Sequence, residues 1–244
     1  MDALEIARWQ FGITTVYHFF FVPLTIGLGV VVAGFQTAFV RTGNQSYLRL
    51  TKFYGKLFLI VFVMGAVTGL VQEFQFGMNW SDYSRFVGDI FGAPLALEGL
   101  LAFFLESTFI GLWIFGWDRL SPRLHLATIW IAAGGALVSA YFILAANAWM
   151  QHPVGFTVNT NRNRAELSDF AAVLTNNTAI VAWLHTITAS LLSAGALVAG
   201  VASWQLWRRR ADADAPTFRT AAKAGMWIAV IAGIAVAITG DRQG

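Results

Sequence analysis

The chain has 244 residues, of which 57% are hydrophobic and only 12% charged. Soluble domains carry about 25% charged residues, so this composition excludes a water-soluble globular fold and indicates a polytopic membrane protein. The formal net charge of +3 implies no nucleic-acid partner, because the basic residues fall at the ends of apolar runs. The absence of cysteine excludes disulfides, cysteine-ligated iron–sulfur clusters and CxxCH-type haem attachment.

Six spans are predicted in an all-α transmembrane helix bundle. The opening MDALEIARWQ places Asp2 and Glu5 ahead of Arg8, unlike the cationic start of a signal peptide, so the first apolar run is read as a retained helix. Helix one lies within 11–40 and helix two within about 57–76. Helix three covers about 95–117, helix four 124–150, helix five 179–207 and helix six 224–240. No internal repeat or linker is visible, so 1–244 is read as a single transmembrane domain.

Lys and Arg set the orientation. The loops after helices one, three and five carry eleven cations: Arg41, Arg49, Lys52, Lys56, Arg119, Arg123, Arg208, Arg209, Arg210, Arg219 and Lys223. The other side carries five: Arg8, Arg85, Arg162, Arg164 and Arg242. The positive-inside rule places the N-terminus outside, with Trp113, Trp117, Trp204 and Trp207 as an inner aromatic belt and Trp149 and Trp183 near the outer one.

Helix three is apolar apart from two carboxylates, Glu98 and Glu106. Each costs about 2.5–3.5 kcal/mol inside a membrane helix, which marks them as functional candidates. Counted from the inner cations, His18 and His185 each lie 23 residues up their helices. That predicts a shared outer layer at a height of about 34 Å, with Glu98 about 3 Å deeper. By the same count Glu106 and Ser139 fall at one level, about 20 Å from the inner boundary. His125 reads as interfacial and His152 as solvated. Pro23 can bend the helix beside His18. Thr186, Ala189, Ser190 and Gly195 leave room near His185 for a flat ligand or another helix, and Gly65 and Gly69 read as helix contacts.

The blocks YHFFFVPLTIGLG, TKFYGKLF, VTGLVQEFQFGMNWSDYSRFVGDIFGAPLALEGLLAFFLESTF, FGWDRL and AANAWMQHP closely resemble subunit I of the cytochrome bd quinol oxidases. The resemblance implies an enzyme of the bacterial cell membrane that oxidises quinol and reduces oxygen to water, with cytoplasmic protons contributing to the proton motive force. It implies three haems: a low-spin haem b, a high-spin haem b and a haem d. His185 matches the ligand of low-spin haem b. His18 matches a ligand of the oxygen-reducing pair, either haem d or high-spin haem b. Glu98 matches a carboxylate beside that pair, and Glu106 and Ser139 match a route for protons from inside. The implied partners are a second membrane subunit, small single-helix subunits, quinol, oxygen and the lipid bilayer.

Family members continue past helix six into an outer quinol loop and three more helices, whereas this sequence reaches GDRQG where that loop would begin. The chain is therefore expected to be the N-terminal part of a longer subunit. The methionine partner of His185 and the glutamate ligand of the high-spin haem are expected in that further part, since Met64, Met78, Met150 and Met226 do not occupy the matching position. A proton-coupled transporter using Glu98 and Glu106 is the alternative. It gives no role to the two histidines, and the inverted repeat such transporters often carry is not seen.

Overall fold

The structure, a computed structural model, describes residues 2–208 and 214–242; Arg209 and Arg210 of the inner cation set lie outside them. Six helical spans are long and apolar enough to cross a membrane. They comprise α1 (Ala3–Thr42), α2 (Gln45–Gln75), a third span made of α3 (Ser81–Leu97), a π-turn (Glu98–Phe103) and α4 (Phe104–Phe115), then α5 (Pro122–Gln151), α7 (Asn177–Arg208) and α8 (Ala215–Asp241). A two-stranded antiparallel hairpin, β1 (Phe156–Asn159) and β2 (Arg164–Leu167), and the short α6 (Phe170–Leu174) join α5 to α7.

The helices outrun the apolar segments predicted for them. Asp2 caps α1 by accepting from the Glu5 N–H at 2.8 Å. Gly43, in the left-handed region at φ 69°, ends α1 with its N–H on Phe39 O. Asn44 then caps α2 through the Ser46 N–H, so α2 starts at Gln45 rather than near Leu57. The extension is amphipathic: Leu50, Thr51, Tyr54 and Phe58 are buried, while Lys52 and Lys56 face out. Likewise α8 begins at Ala215, nine residues before the apolar run read as helix six, and buries Phe218, Ala221 and Ala222.

The core sits at the end of the bundle that the cation count assigns inside, where Leu28, Val32, Phe35, Leu50, Tyr54, Phe58, Trp113, Ile129 and Val198 pack together. Tyr54 donates its hydroxyl to Val198 O at 2.9 Å, tying α2 to α7. Close crossings need small residues. A Cβ on Gly27 would collide with the Ser190 carbonyl of α7, and one on Gly195 would lie 2.7 Å from Ala229 N of α8. Of the two uses read from sequence for Ser190 and Gly195, a flat ligand or another helix, the structure shows the close approach of another helix.

Two inner residues differ from their expected interfacial roles. Trp113 and His125 are both buried, and they form a closed network with Gln36. Trp113 Nε1–H donates to Gln36 Oε1 at 2.7 Å, which turns the amide nitrogen toward His125 Nδ1 at 2.8 Å. His125 Nε2–H then donates to Trp113 O at 2.8 Å. Every polar group of the trio is satisfied, and Trp117 packs on the His125 ring with its centroid 4.3 Å away. Trp113 therefore belongs to the core, not to a belt, whereas Trp204 and Trp207 are exposed against each other. At the outer end, Trp149 is buried and its Nε1–H donates to Val154 O. Its ring meets Phe91 and Phe156, and the hairpin is pinned to α3 by Leu167 N–H donating to Asp89 Oδ2 at 2.8 Å.

Candidate functional site

The two histidines occupy equivalent settings on different helices. His18 is half-buried on α1, with Nδ1 3.1 Å from Thr68 Oγ1 of α2. His185 is half-buried on α7, with Nδ1 3.0 Å from Thr239 Oγ1 of α8. Among the described residues no hydrogen bond engages Nε2 of either ring.

Their depths differ by about a turn. Gly27 of α1 meets Ser190 of α7. His18 lies nine residues before the first and His185 five before the second. Along these two parallel helices His18 is therefore about 6 Å further out. The expected common layer is offset because the two inner cations used as markers, Arg41 and Arg208, do not end their helices at one level.

The carboxylates face α5. Glu98 Oε1 accepts the Ser139 hydroxyl at 2.7 Å. Glu106 is buried, 6% exposed, with its Cβ against Gly135: a Cβ built there would lie 3.2 Å from it. Ser139 therefore pairs with Glu98, and Glu106 lies one turn of α5 further in, rather than beside Ser139 as the residue count predicted. The reason lies in the His125–Trp113 bond. It puts the start of α5 level with Trp113 and not with Arg119, and fourteen residues back from Trp113 is Gly99, next to Glu98.

A second tie fixes the layer. Trp183 Nε1–H of α7 donates to Leu137 O of α5 at 2.9 Å. Ser139 lies two residues outward of Leu137, and His185 two residues inward of Trp183. Glu98 and Ser139 thus fall in the outer layer with His18, and His185 lies about a turn deeper. Glu98 is within electrostatic range of both Glu106 and Glu73 of α2. Glu73 was not singled out by the sequence, since it sits at the end of an apolar run beside polar residues and looks like an interfacial carboxylate.

Glu98 opens the π-turn. Each residue there advances less around the axis than the 100° of an α-helix, so Glu98 and Glu106 both reach α5 instead of diverging. Pro94 contributes by lacking the N–H that would bond Ile90, so the helix reaches the turn with one rung already missing.

The donor set fits haem better than a bare ion. Among the described residues no group of three or more His, Cys, Asp or Glu side chains could hold a free metal. Each imidazole stands alone on an apolar wall, with exposed Tyr17, Phe19 and Phe20 around His18 and exposed Leu184 and Ile238 near His185. A planar apolar macrocycle needs one axial nitrogen and such walls. Thr15 Oγ1 and Gln72 Oε1, a turn from His18 and Thr68, are buried and have no hydrogen-bond partner among the described residues, as expected beside a polar group that completes the site. Gly69 belongs here too, because a Cβ on it would lie 3.0 Å from His18 Cε1, so it faces the imidazole rather than serving only as a helix contact. His152 is exposed, and its carbonyl accepts from Asn176 Nδ2 at 3.0 Å.

Six apolar helices, with carboxylates and imidazoles anchored between them, define a polytopic membrane protein whose acid–base groups lie in the half that the cation count assigns outside. The chain belongs to the family described as cytochrome bd terminal oxidase subunit I, which it matches over residues 6–244. It is 49% identical over 243 residues to cytochrome bd ubiquinol oxidase subunit 1 of Bacillus subtilis (strain 168), covering 100% of this chain and 51% of that protein. It is 47% identical over 209 residues to cytochrome bd-II ubiquinol oxidase subunit 1 of Escherichia coli (strain K12), covering 86% of this chain and 41% of the relative. A bd oxidase structure from Geobacillus thermodenitrificans superposes with a TM-score of 0.90 at 27% identity, over 99% of this chain and 55% of that one. The chain spans about half the length of the curated relatives it matches.

Proposed function

We propose that this chain supplies haem-ligating and proton-delivering helices to a terminal oxidase that takes electrons from quinol and reduces oxygen to water in a bacterial cell membrane. Family membership supports the reaction class. The observation that carries the reading in this molecule is the pair of half-exposed histidines, each bonded through Nδ1 and open at Nε2. His18 and His185 would each hold a haem, with low-spin haem b at His185 and haem d or high-spin haem b at His18. Haem, when bound, would supply the electron-accepting and oxygen-reducing chemistry.

The chain's own residues handle the protons. With eleven of sixteen cations on the side of the α1–α2 connection, that side is assigned to the cytoplasm and the N-terminus to the outside. A proton from that side meets Glu106 first, buried against Gly135 of α5. Glu98 lies further out, with its Oε1 fixed by Ser139 in the layer of His18. The two side chains face α5 one turn apart, at Ser139 and Gly135, and among the described residues no hydrogen bond joins them, so water or hydroxyl groups would bridge them. A second membrane subunit would cover part of the exposed apolar flanks.

An absorption spectrum tests the proposal. The assembled protein should show a haem Soret band, and His185→Ala should remove the low-spin component while leaving the other haems bound. A haem-free spectrum, or a normal low-spin signal in the variant, would contradict it.

A further inference from the structure

The threonines beside the two histidines do more than fill space. Thr68 Oγ1 donates within its own helix, to Met64 O at 2.8 Å and Gly65 O at 3.0 Å. Thr239 Oγ1 does the same, to Ala235 O at 2.9 Å and Val236 O at 3.2 Å. A hydroxyl has one proton and two lone pairs. With that proton turned to a helix carbonyl, Oγ1 accepts from the imidazole, and Thr188 Oγ1, 3.3 Å from Thr239 Oγ1, is a second hydroxyl at the α8 site. In this arrangement the ring proton sits on Nδ1, and the lone pair on Nε2 points away from the threonine.

The residue after each threonine is glycine. A Cβ on Gly69 would lie 3.0 Å from His18 Cε1, and one on Gly240 would lie 3.4 Å from His185 Cε1. Each Thr–Gly pair thus gives the ring an acceptor and, next to it, bare backbone to lie on. The same device is built twice, on α2 and on α8. His125 is the internal contrast: Gln36 donates to its Nδ1, its Nε2 carries the proton, and both nitrogens are consumed.

We propose that Thr68 and Thr239 are positioning residues that lock His18 and His185 in the Nδ1–H tautomer and so present Nε2 to a haem iron. This rests on the haem-ligation reading above. A hydrogen bond accepted from Nδ1–H raises the basicity of a ligating imidazole, and outer partners of this kind typically govern about 10–100-fold in affinity. The tautomer is set by the neighbouring helix, so the bond also couples haem binding to the α1–α2 and α7–α8 contacts.

The test uses the assembled, haem-loaded oxidase carrying Thr68→Val or Thr239→Val, with Thr68→Ser and Thr239→Ser beside them. Valine keeps the shape and cannot accept, whereas serine keeps the acceptor. Each valine variant should weaken retention of its own haem about tenfold. It should also shift that haem toward the reduced form at a fixed potential and lower the iron–histidine stretching frequency wherever a five-coordinate ferrous haem is present. The other haem should not change, and serine should restore every readout. If a valine variant fails to assemble, Thr68→Ala or Thr239→Ala replaces it, removing the acceptor without bulk. Valine or alanine variants with unchanged potential and retention would overturn the proposal, as would serine behaving like valine. His18→Ala and His185→Ala are measured alongside. Loss of haem in these with no effect of the threonines refutes the positioning role alone, whereas full haem in them refutes the ligation reading.

Discussion

Gln36→Leu should destabilise the inner half of the bundle far beyond its loss of volume. The side chain is 2% exposed and makes two hydrogen bonds, to the Trp113 indole at 2.7 Å and His125 Nδ1 at 2.8 Å. Leucine fits the space but leaves a buried N–H donor and a buried ring-nitrogen acceptor unmatched. Each orphan costs about 1–3 kcal/mol, giving about 2–6 kcal/mol in total. A cavity of about 80 Å³ borders the site, lined by Gln36, Trp117 and His125 among others. A water entering it would satisfy one orphan, so we expect the lower part of the range, about 2–3 kcal/mol. Equilibrium unfolding of the purified protein in mixed micelles would measure it, together with a cycle combining Gln36→Leu and His125→Phe. In the double variant the ring nitrogens no longer exist to be orphaned, so it should cost less than the sum of the single variants by about 1–2 kcal/mol. Strict additivity, or a Gln36→Leu cost under about 0.5 kcal/mol, would refute the view of this trio as one closed network.

Three further outcomes are expected. Glu106→Gln keeps size and hydrogen bonding but carries no proton, so the oxidase should assemble with its haems while oxygen consumption, followed with an oxygen electrode, falls about a hundredfold; a normal rate would remove Glu106 from the proton route. A reporter active only in the cytoplasm should work when fused after Gly43 and fail after Asn161, and the reverse pattern would invert the topology. At the hairpin, hydrogen bonds from Asn159 and Arg164, aided by the charges of Arg164 and Arg162, hold the Glu166 carboxyl below the usual carboxylate range. Its folded pKa is lowered, so its stabilising effect is complete above the ordinary carboxylate value and is lost as pH falls through the lowered one. Hydrogen-exchange protection of the Glu166 amide, whose residue pairs with Thr157 across the hairpin, should fade in that acid window, and Glu166→Gln should abolish this pH dependence.

The helices were legible because hydrophobic runs of membrane length are a strong signal. Their true ends were not, since α2 and α8 continue as amphipathic helices whose buried residues are spaced three and four apart among Arg and Lys. The hairpin escaped notice because four-residue strands carry too little alternation to read, and a local turn around Asn159 and Asn163 makes it. Charge in an apolar run marked Glu98 and Glu106 at once. The pairing of Ser139 with Glu98 did not follow, because depth was counted from loop cations while the real level is set by His125 bonding Trp113. Thr68 and Thr239 were invisible for another reason. Threonine is ordinary in a membrane helix, and only the neighbouring helix shows where its lone pairs point.

The π-turn at Glu98–Phe103 makes this helix a counted object. A π-turn holds one residue more than the α-helical turn it replaces. Deleting any single residue between Glu98 and Phe103 would let the segment relax into continuous α-helix, a lower-energy backbone with nothing obviously broken. Because the shortened turn covers nearly the same angle with one residue fewer, everything beyond it would keep its orientation relative to α3. Glu106 would still face Gly135 while Glu98 stayed with Ser139. The π-turn is what keeps the two acids in phase, since a continuous α-helix over the same eight residues would set them about 80° apart. A one-residue deletion inside the turn should therefore be absorbed, whereas the same deletion at the start of α4 would turn Glu106 about 100° away from Gly135.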